Sequence, residues 1–166
     1  MSSNIIEVPI DQATIDRARY MAEDLPSLRN SIERGGGNVA GLIGEVVAAA
    51  VLGATICNTY DYDIVAAGAK IDVKTKRCTS KPRPDYDCSV AAYNTKQRCD
   101  YYAFVRVLND YTKAWYLGSI PKVEYFRRAR KMTAGQIDPS NGFTVKADCY
   151  NLKIEELWKI IETKKP

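Results

Sequence analysis

The chain contains no histidine. That absence removes Ser-His and Cys-His nucleophilic catalysis, histidine-bound metal nucleases and paired-histidine phosphotransfer, since each depends on an imidazole that changes charge near neutral pH. Hydrolysis would have to rest on carboxylates, lysine, tyrosine or a metal bound through oxygen, and such a site suits magnesium, manganese or calcium. Clustered cysteine is also missing. Cys57, Cys78, Cys88, Cys99 and Cys149 form no CxxC pair and are odd in number, so reduced thiols in a cytoplasmic protein are expected, not a disulfide framework or a structural zinc. The longest apolar stretch, Val46 to Gly53, falls far short of the ~20 residues that cross a bilayer. The opening MSSNIIEVPIDQ has no basic region followed by an apolar core, so neither an export signal nor a membrane partner is expected.

The 166 residues are expected to form one domain, 1–166, long enough to bury roughly 70% of the surface of the unfolded chain. Lysine and arginine outnumber aspartate and glutamate 24 to 20, a net charge of +4. So mild an excess says little by itself; the location of the charge matters more.

No repeat, low-complexity tract or linker divides the chain. Asp11 can cap a first helix running to about Leu25, with Ile15, Ala18, Met21 and Ala22 on one side. Arg34-Gly35-Gly36-Gly37 breaks the pattern, and Asn38 can cap a second helix that ends before Gly53. That helix is apolar nearly all round, as in a helix buried on a sheet. Thr55 to Cys57 can start the sheet. Tyr62 to Arg77 predicts a hairpin with a small-residue turn at Ala66 to Ala69. Cys78 to Cys88, with its prolines, predicts a loop, and Tyr101 to Leu108 with Ala114 to Ile120 a second hairpin. Ser119 to Met132 predicts a helix, Phe143 to Tyr150 a strand, and Leu152 to Ile161 a final helix. The expected fold class is α/β, a central mixed sheet flanked by helices.

In the second arm of the first hairpin, Ile71, Val73 and Thr75 alternate with Asp72, Lys74 and Lys76, so one face is apolar and the other charged. With the turn centred between Ala67 and Gly68, Val65 faces Lys70, Ile64 faces Ile71, and Asp63 faces Asp72. Opposed residues project from one face about 4.5–5.5 Å apart. Two carboxylates so close repel unless a cation sits between them. Lys74 shares their face. Two carboxylates and an ammonium thus converge, as phosphodiester cleavage requires: the acids fix divalent ions, while the lysine orients the attacking water or stabilises charge on the phosphorane. The competing explanation is a solvated hairpin face on which Lys74 offsets charge. The apolar character of both strands and the turn register favour the site.

Asp63, nine positions before Asp72-Val73-Lys74, together with Gly41-Leu42-Ile43-Gly44-Glu45 on the preceding helix, resembles the PD-(D/E)XK nuclease superfamily, coarsely over residues 38–120. Tyr62 stands where the usual proline would be, and aspartate, not glutamate, occupies position 72. The resemblance implies a restriction-endonuclease-like core and a magnesium-dependent DNA endonuclease, with manganese as a substitute. It further implies Asp63, Asp72, Val73 and Glu45 as metal ligands, with Lys74 assisting the attacking water. Glu45 also lies about two turns into an apolar helix, where a helix-dipole role has faded and a buried carboxylate needs a partner.

Lys76 and Arg77, Lys81 and Arg83, and Lys96, Gln97 and Arg98 are candidate contacts to a DNA backbone, with ordinary solvated charge as the alternative. Gln97 is expected on a short helical turn near the site. Arg127, Arg128, Arg130 and Lys131 on the late helix are equally ambiguous. Tyr93, Tyr101 and Tyr102 could stack on bases, although strand tyrosines are more often core. The expected setting is phage or prokaryotic recombination, repair or restriction, in the cytoplasm (that of the host if phage-encoded). A homodimer would suit cleavage of two strands, but no heptad marks one. The alternative function is a non-catalytic nucleic-acid-binding module on the same fold, using the basic segments alone.

Overall fold

Ala67 and Gly68 both adopt positive φ, 48° and 82°, the backbone of a two-residue type I′ hairpin turn. The turn sits in a computed structural model that describes residues 5–24, 36–139 and 142–158. In chain order the elements are β1 (Ile6–Pro9), α1 (Gln12–Asp24), α2 (Gly36–Leu52), β2 (Thr55–Ile56), β3 (Ile64–Ala66), β4 (Ala69–Cys78), β5 (Asp87–Ala91), β6 (Tyr101–Leu108), β7 (Lys113–Pro121), α3 (Lys122–Arg128), β8 (Arg130–Met132) and β9 (Cys149–Lys153). Short 3₁₀ turns occupy Ala92–Asn94 and Ile154–Glu156.

Six strands form a mixed sheet in the order β1-β7-β6-β4-β3-β2, in which β4 and β6 run parallel and the other neighbours antiparallel. A smaller antiparallel sheet, β5-β9-β8, stands apart from it. The protein is therefore α/β with a large mixed sheet and three helices. Each face of the large sheet covers its own core. On one face α1 and α2 bury Ala18, Ile43, Val47 and Ala48 against Ile64, Ile71, Val105 and Tyr116. On the other, Tyr102, Phe104 and Leu117 pack with Cys88, Val90, Leu152 and Tyr125, whose hydroxyl shares its one proton between the Cys88 and Tyr150 carbonyls, 2.8 and 2.9 Å away. Alternation along β4 and β6 directs successive side chains to opposite faces of the sheet.

Local chemistry explains several elements. The Asp11 carboxylate accepts from the Thr14 amide at 2.8 Å and caps α1. Gly44 lets α2 close onto β4, since a Cβ there would lie 1.9 Å from Thr75 Oγ1. The expected end of the first helix at Leu25 and the Arg34-Gly35 break lie outside the described residues, as does the side chain of Asn38; α2 already begins at Gly36.

The C-terminal third differs from expectation. Instead of a helix from Ser119 to Met132, α3 covers only seven residues, and β8 follows at once. Ala129 takes extended backbone, φ −67° and ψ 146°, and the strand beginning at Arg130 pairs with β9. The strand expected over Phe143 to Tyr150 lies later, at Cys149–Lys153, leaving Thr144 in an isolated bridge with Ile137. Leu152, expected in a closing helix, is a strand residue, followed by a single 3₁₀ turn and a bridge from Trp158 to Ser119; residues 159–161 lie outside the description. β5 falls where the proline loop was expected to end. Among the described residues no helix is long and apolar enough to cross a membrane, and all five cysteines are free thiols.

Candidate active site

The hairpin register is the one the turn implies: Ala66 pairs with Ala69, Val65 with Lys70, Ile64 with Ile71. Asp63 then leaves the strand. Continued pairing would match Tyr62 with Val73, but the Tyr62 amide donates to Thr59 Oγ1 at 3.0 Å and its carbonyl accepts from the Thr59 amide at 2.9 Å. The Val73 amide donates instead to Asp63 Oδ2 at 2.8 Å. A carboxylate thus replaces the missing strand beside β4. The Asp63 backbone is held too: its amide donates to the Ile71 carbonyl at 2.9 Å, and its carbonyl accepts from Cys57 and Asn58.

Asp63 and Asp72 are only 3% and 8% exposed. Burial pushes the Asp72 carboxyl up to about 7, against the pull of Lys74, and the neighbouring Asp63 carboxyl raises it further. Lys74 Nζ forms an ion pair with Asp72 Oδ2 at 2.7 Å and lies 5.6 Å from the centre of the Tyr102 ring. Asp72 and Lys74 are in register with Tyr102 and Phe104 on parallel β6, so their side chains face the smaller sheet. Cys99 closes in from the preceding segment. Burial, then the Asp72 charge, raises its thiol to about 11, so it remains protonated.

Two carboxylates against one lysine fit a hard cation. Magnesium is usually held by one or two carboxylates and completes its shell with water and substrate oxygens. A residue in an extended strand directs its amide and carbonyl the same way, so the Val73 carbonyl points to the Asp63 side, where no strand continues. Asp63, Asp72 and Val73 are thus brought together. Glu45 is 2% exposed on α2. Among the described residues no group of three or more His, Cys, Asp or Glu that could hold a metal ion is found.

Comparison with protein-family models and with curated proteins finds no match to this chain.

The candidate DNA contacts separate into groups. Lys76 continues the row of Asp72 and Lys74 and lines a cavity of 540 Å³ between the sheets. Arg77 donates to Asn109 Oδ1 at 3.2 Å. Lys81 and Lys96 are exposed, as are Arg98 and Arg83, the last ion-paired with Asp85 at 3.3 Å. Gln97 lies beyond the 3₁₀ turn, not on it, and donates to Asn94 Oδ1. Arg127 and Arg128 pair with Glu124, whereas Arg130 belongs to β8, not to a helix. Tyr102 is fully buried and cannot stack on a base; Tyr93 is exposed. Sequence reasoning missed Arg106, an arginine in the apolar run Tyr101–Leu108 paired in register with Lys76. Its spacing of two from Phe104 was the available signal.

Proposed function

We propose that this protein is a magnesium-dependent nuclease that hydrolyses DNA phosphodiesters at Asp63, Asp72 and Lys74. The reading rests on the buried Asp63–Asp72 pair with the Lys74 ammonium 2.7 Å from Asp72. Without a cation, burial and the neighbouring Asp63 raise the Asp72 carboxyl to about 7, a costly arrangement for a purely structural hairpin. Asp63 and Asp72, with the Val73 carbonyl, would hold the divalent ion. When bound, that ion would neutralise phosphate charge and acidify a water. Asp63 is fixed by the Val73 amide, so its second oxygen is pre-oriented. Lys74 lies 5.6 Å from the centre of the Tyr102 ring with its ammonium beside Asp72, where it can position a nucleophilic water or meet charge developing on the phosphoryl oxygens.

The test is digestion of branched, duplex and single-stranded DNA with magnesium. Lys74→Ala and Asp72→Ala should each lose at least about 10²-fold in rate while keeping the wild-type circular dichroism spectrum. Cleavage that persists in chelator, or in Lys74→Ala, would defeat the proposal. The alternative, a non-catalytic binding module, predicts salt-sensitive, metal-independent DNA binding without product.

A further inference from the structure

A second polar centre among the described residues is the cleft between the two sheets. Arg106 is 8% exposed and forms its floor. It donates to the Asp87 carbonyl at 2.9 Å and lies 5.4 Å from the centre of the Tyr86 ring. A buried guanidinium normally has a carboxylate partner, because desolvating an unpaired charge is costly. Here the nearby acids are directed elsewhere. Asp87 and Asp138 both meet Arg130, at 3.1 and 3.4 Å, and Asp85 meets Arg83. Among the described residues no carboxylate forms an ion pair with Arg106.

Lys76 stands beside Arg106 as its register partner on β4, also without an ion pair among the described residues. Burial and the Arg106 charge hold its ammonium below the usual lysine range, against the pull of Asp87. Lys146 and Lys153 line the same cleft, and so does Phe143, 57% exposed. The cavity, 540 Å³, can take a ligand of nucleotide size. Asp85, Asp87 and Asp138 line the cleft too, but they are ion-paired with Arg83 and Arg130, so Lys76, Arg106, Lys146 and Lys153 beside an exposed aromatic ring are complementary to an anion that carries a flat ring.

We propose that this cleft is a phosphate subsite, in which Lys76 and Arg106 hold the phosphoryl group of a nucleotide and Phe143 lies against its base. The subsite goes beyond the nuclease reading and requires no cleavage at Asp72. Its ligand is either a free mononucleotide or one nucleotide of a strand.

Calorimetric titration of the whole protein in chelator, with thymidine, thymidine 5′-monophosphate, inorganic phosphate and a short oligothymidylate, tests it. Both the mononucleotide and inorganic phosphate should bind saturably, and thymidine should not. Lys76→Gln, which removes the charge and keeps a polar side chain, should weaken the mononucleotide about tenfold, the effect of losing one charge-assisted hydrogen bond. Phe143→Ala should weaken the mononucleotide but not inorganic phosphate. Tighter binding of the oligomer than of the mononucleotide assigns the subsite to a strand, and the reverse assigns it to a free nucleotide. Binding of thymidine as tight as that of its monophosphate, unchanged affinity in Lys76→Gln, or no binding of any phosphate-bearing probe would overturn it. Absent cleavage with phosphate binding intact would remove only the nuclease proposal.

Discussion

The Asp63 carboxylate accepts the Val73 amide proton at 2.8 Å, occupying the place a neighbouring strand would take. It does so next to Asp72. One side chain therefore both satisfies the backbone and creates the repulsion. Asp63→Asn keeps an oxygen for the Val73 amide and removes one charge, so in metal-free buffer it should melt above wild type. Asp63→Ala leaves a buried amide unsatisfied and should lose about 1–3 kcal/mol. Thermal melts of the two variants decide the matter; Asn melting at or below wild type would show that repulsion is not significant.

Asp72 binds its proton more tightly in the folded chain than in the unfolded one, at about 7 against the ordinary 3.8. The folded state thus carries the extra proton between these values. This contribution to stability is fully present below the unfolded value and is lost as pH rises through about 7. In chelator, wild type should lose stability from pH 4 to pH 8, by on the order of a few kcal/mol relative to Asp72→Asn. Magnesium added at pH 8 should raise the Tm of wild type more than that of the variant, because only wild type offers both carboxylates. Denaturant titrations across this range give the slopes; parallel slopes for the two proteins would contradict the buried pair.

Gly44 marks where α2 meets β4. In an exposed helix Gly→Ala would gain up to about 1 kcal/mol. Here the added carbon would overlap Thr75 Oγ1. Gly44→Ala should therefore destabilise by about 1–3 kcal/mol, measured by urea unfolding. A stabilised variant would mean that helix and strand are farther apart.

Ala67 pays a steric penalty for its φ of 48°. Asparagine is at ease there, and Asn-Gly is the favoured type I′ pair. Ala67→Asn should stabilise by about 0.5–1 kcal/mol without altering metal-linked melting, as differential scanning calorimetry would show. A destabilised Ala67→Asn would argue for another turn.

The first hairpin was legible because everything that specifies it is local. Ala67-Gly68 sets the turn, and the alternation of Ile71, Val73 and Thr75 with Asp72, Lys74 and Lys76 fixes which face is buried. The α2 helix was legible for a similar reason, its apolar surface leaving no face for solvent. Where Asp63 turns away was not legible, because the departure depends on Thr59 capturing both backbone groups of Tyr62. Glu45 could be identified as a buried acid, yet its distance from the carboxylate pair depends on how α2 packs on the sheet.

By itself, then, the sequence determined the helices α1 and α2, both hairpins, and the row of charged side chains on β4, since nearest-neighbour geometry and hydrophobic period suffice for each. Tertiary structure alone decided that β5 pairs with β9 across more than sixty residues, with Ser89 and Asn151 opposite each other, and that Arg130 leaves the helix to join that sheet. It also decided that Arg106 ends at the floor of a cleft. A strand buried by partners distant in sequence carries no local signal of them, and a short apolar run becomes strand or helix according to the surface available to cover it.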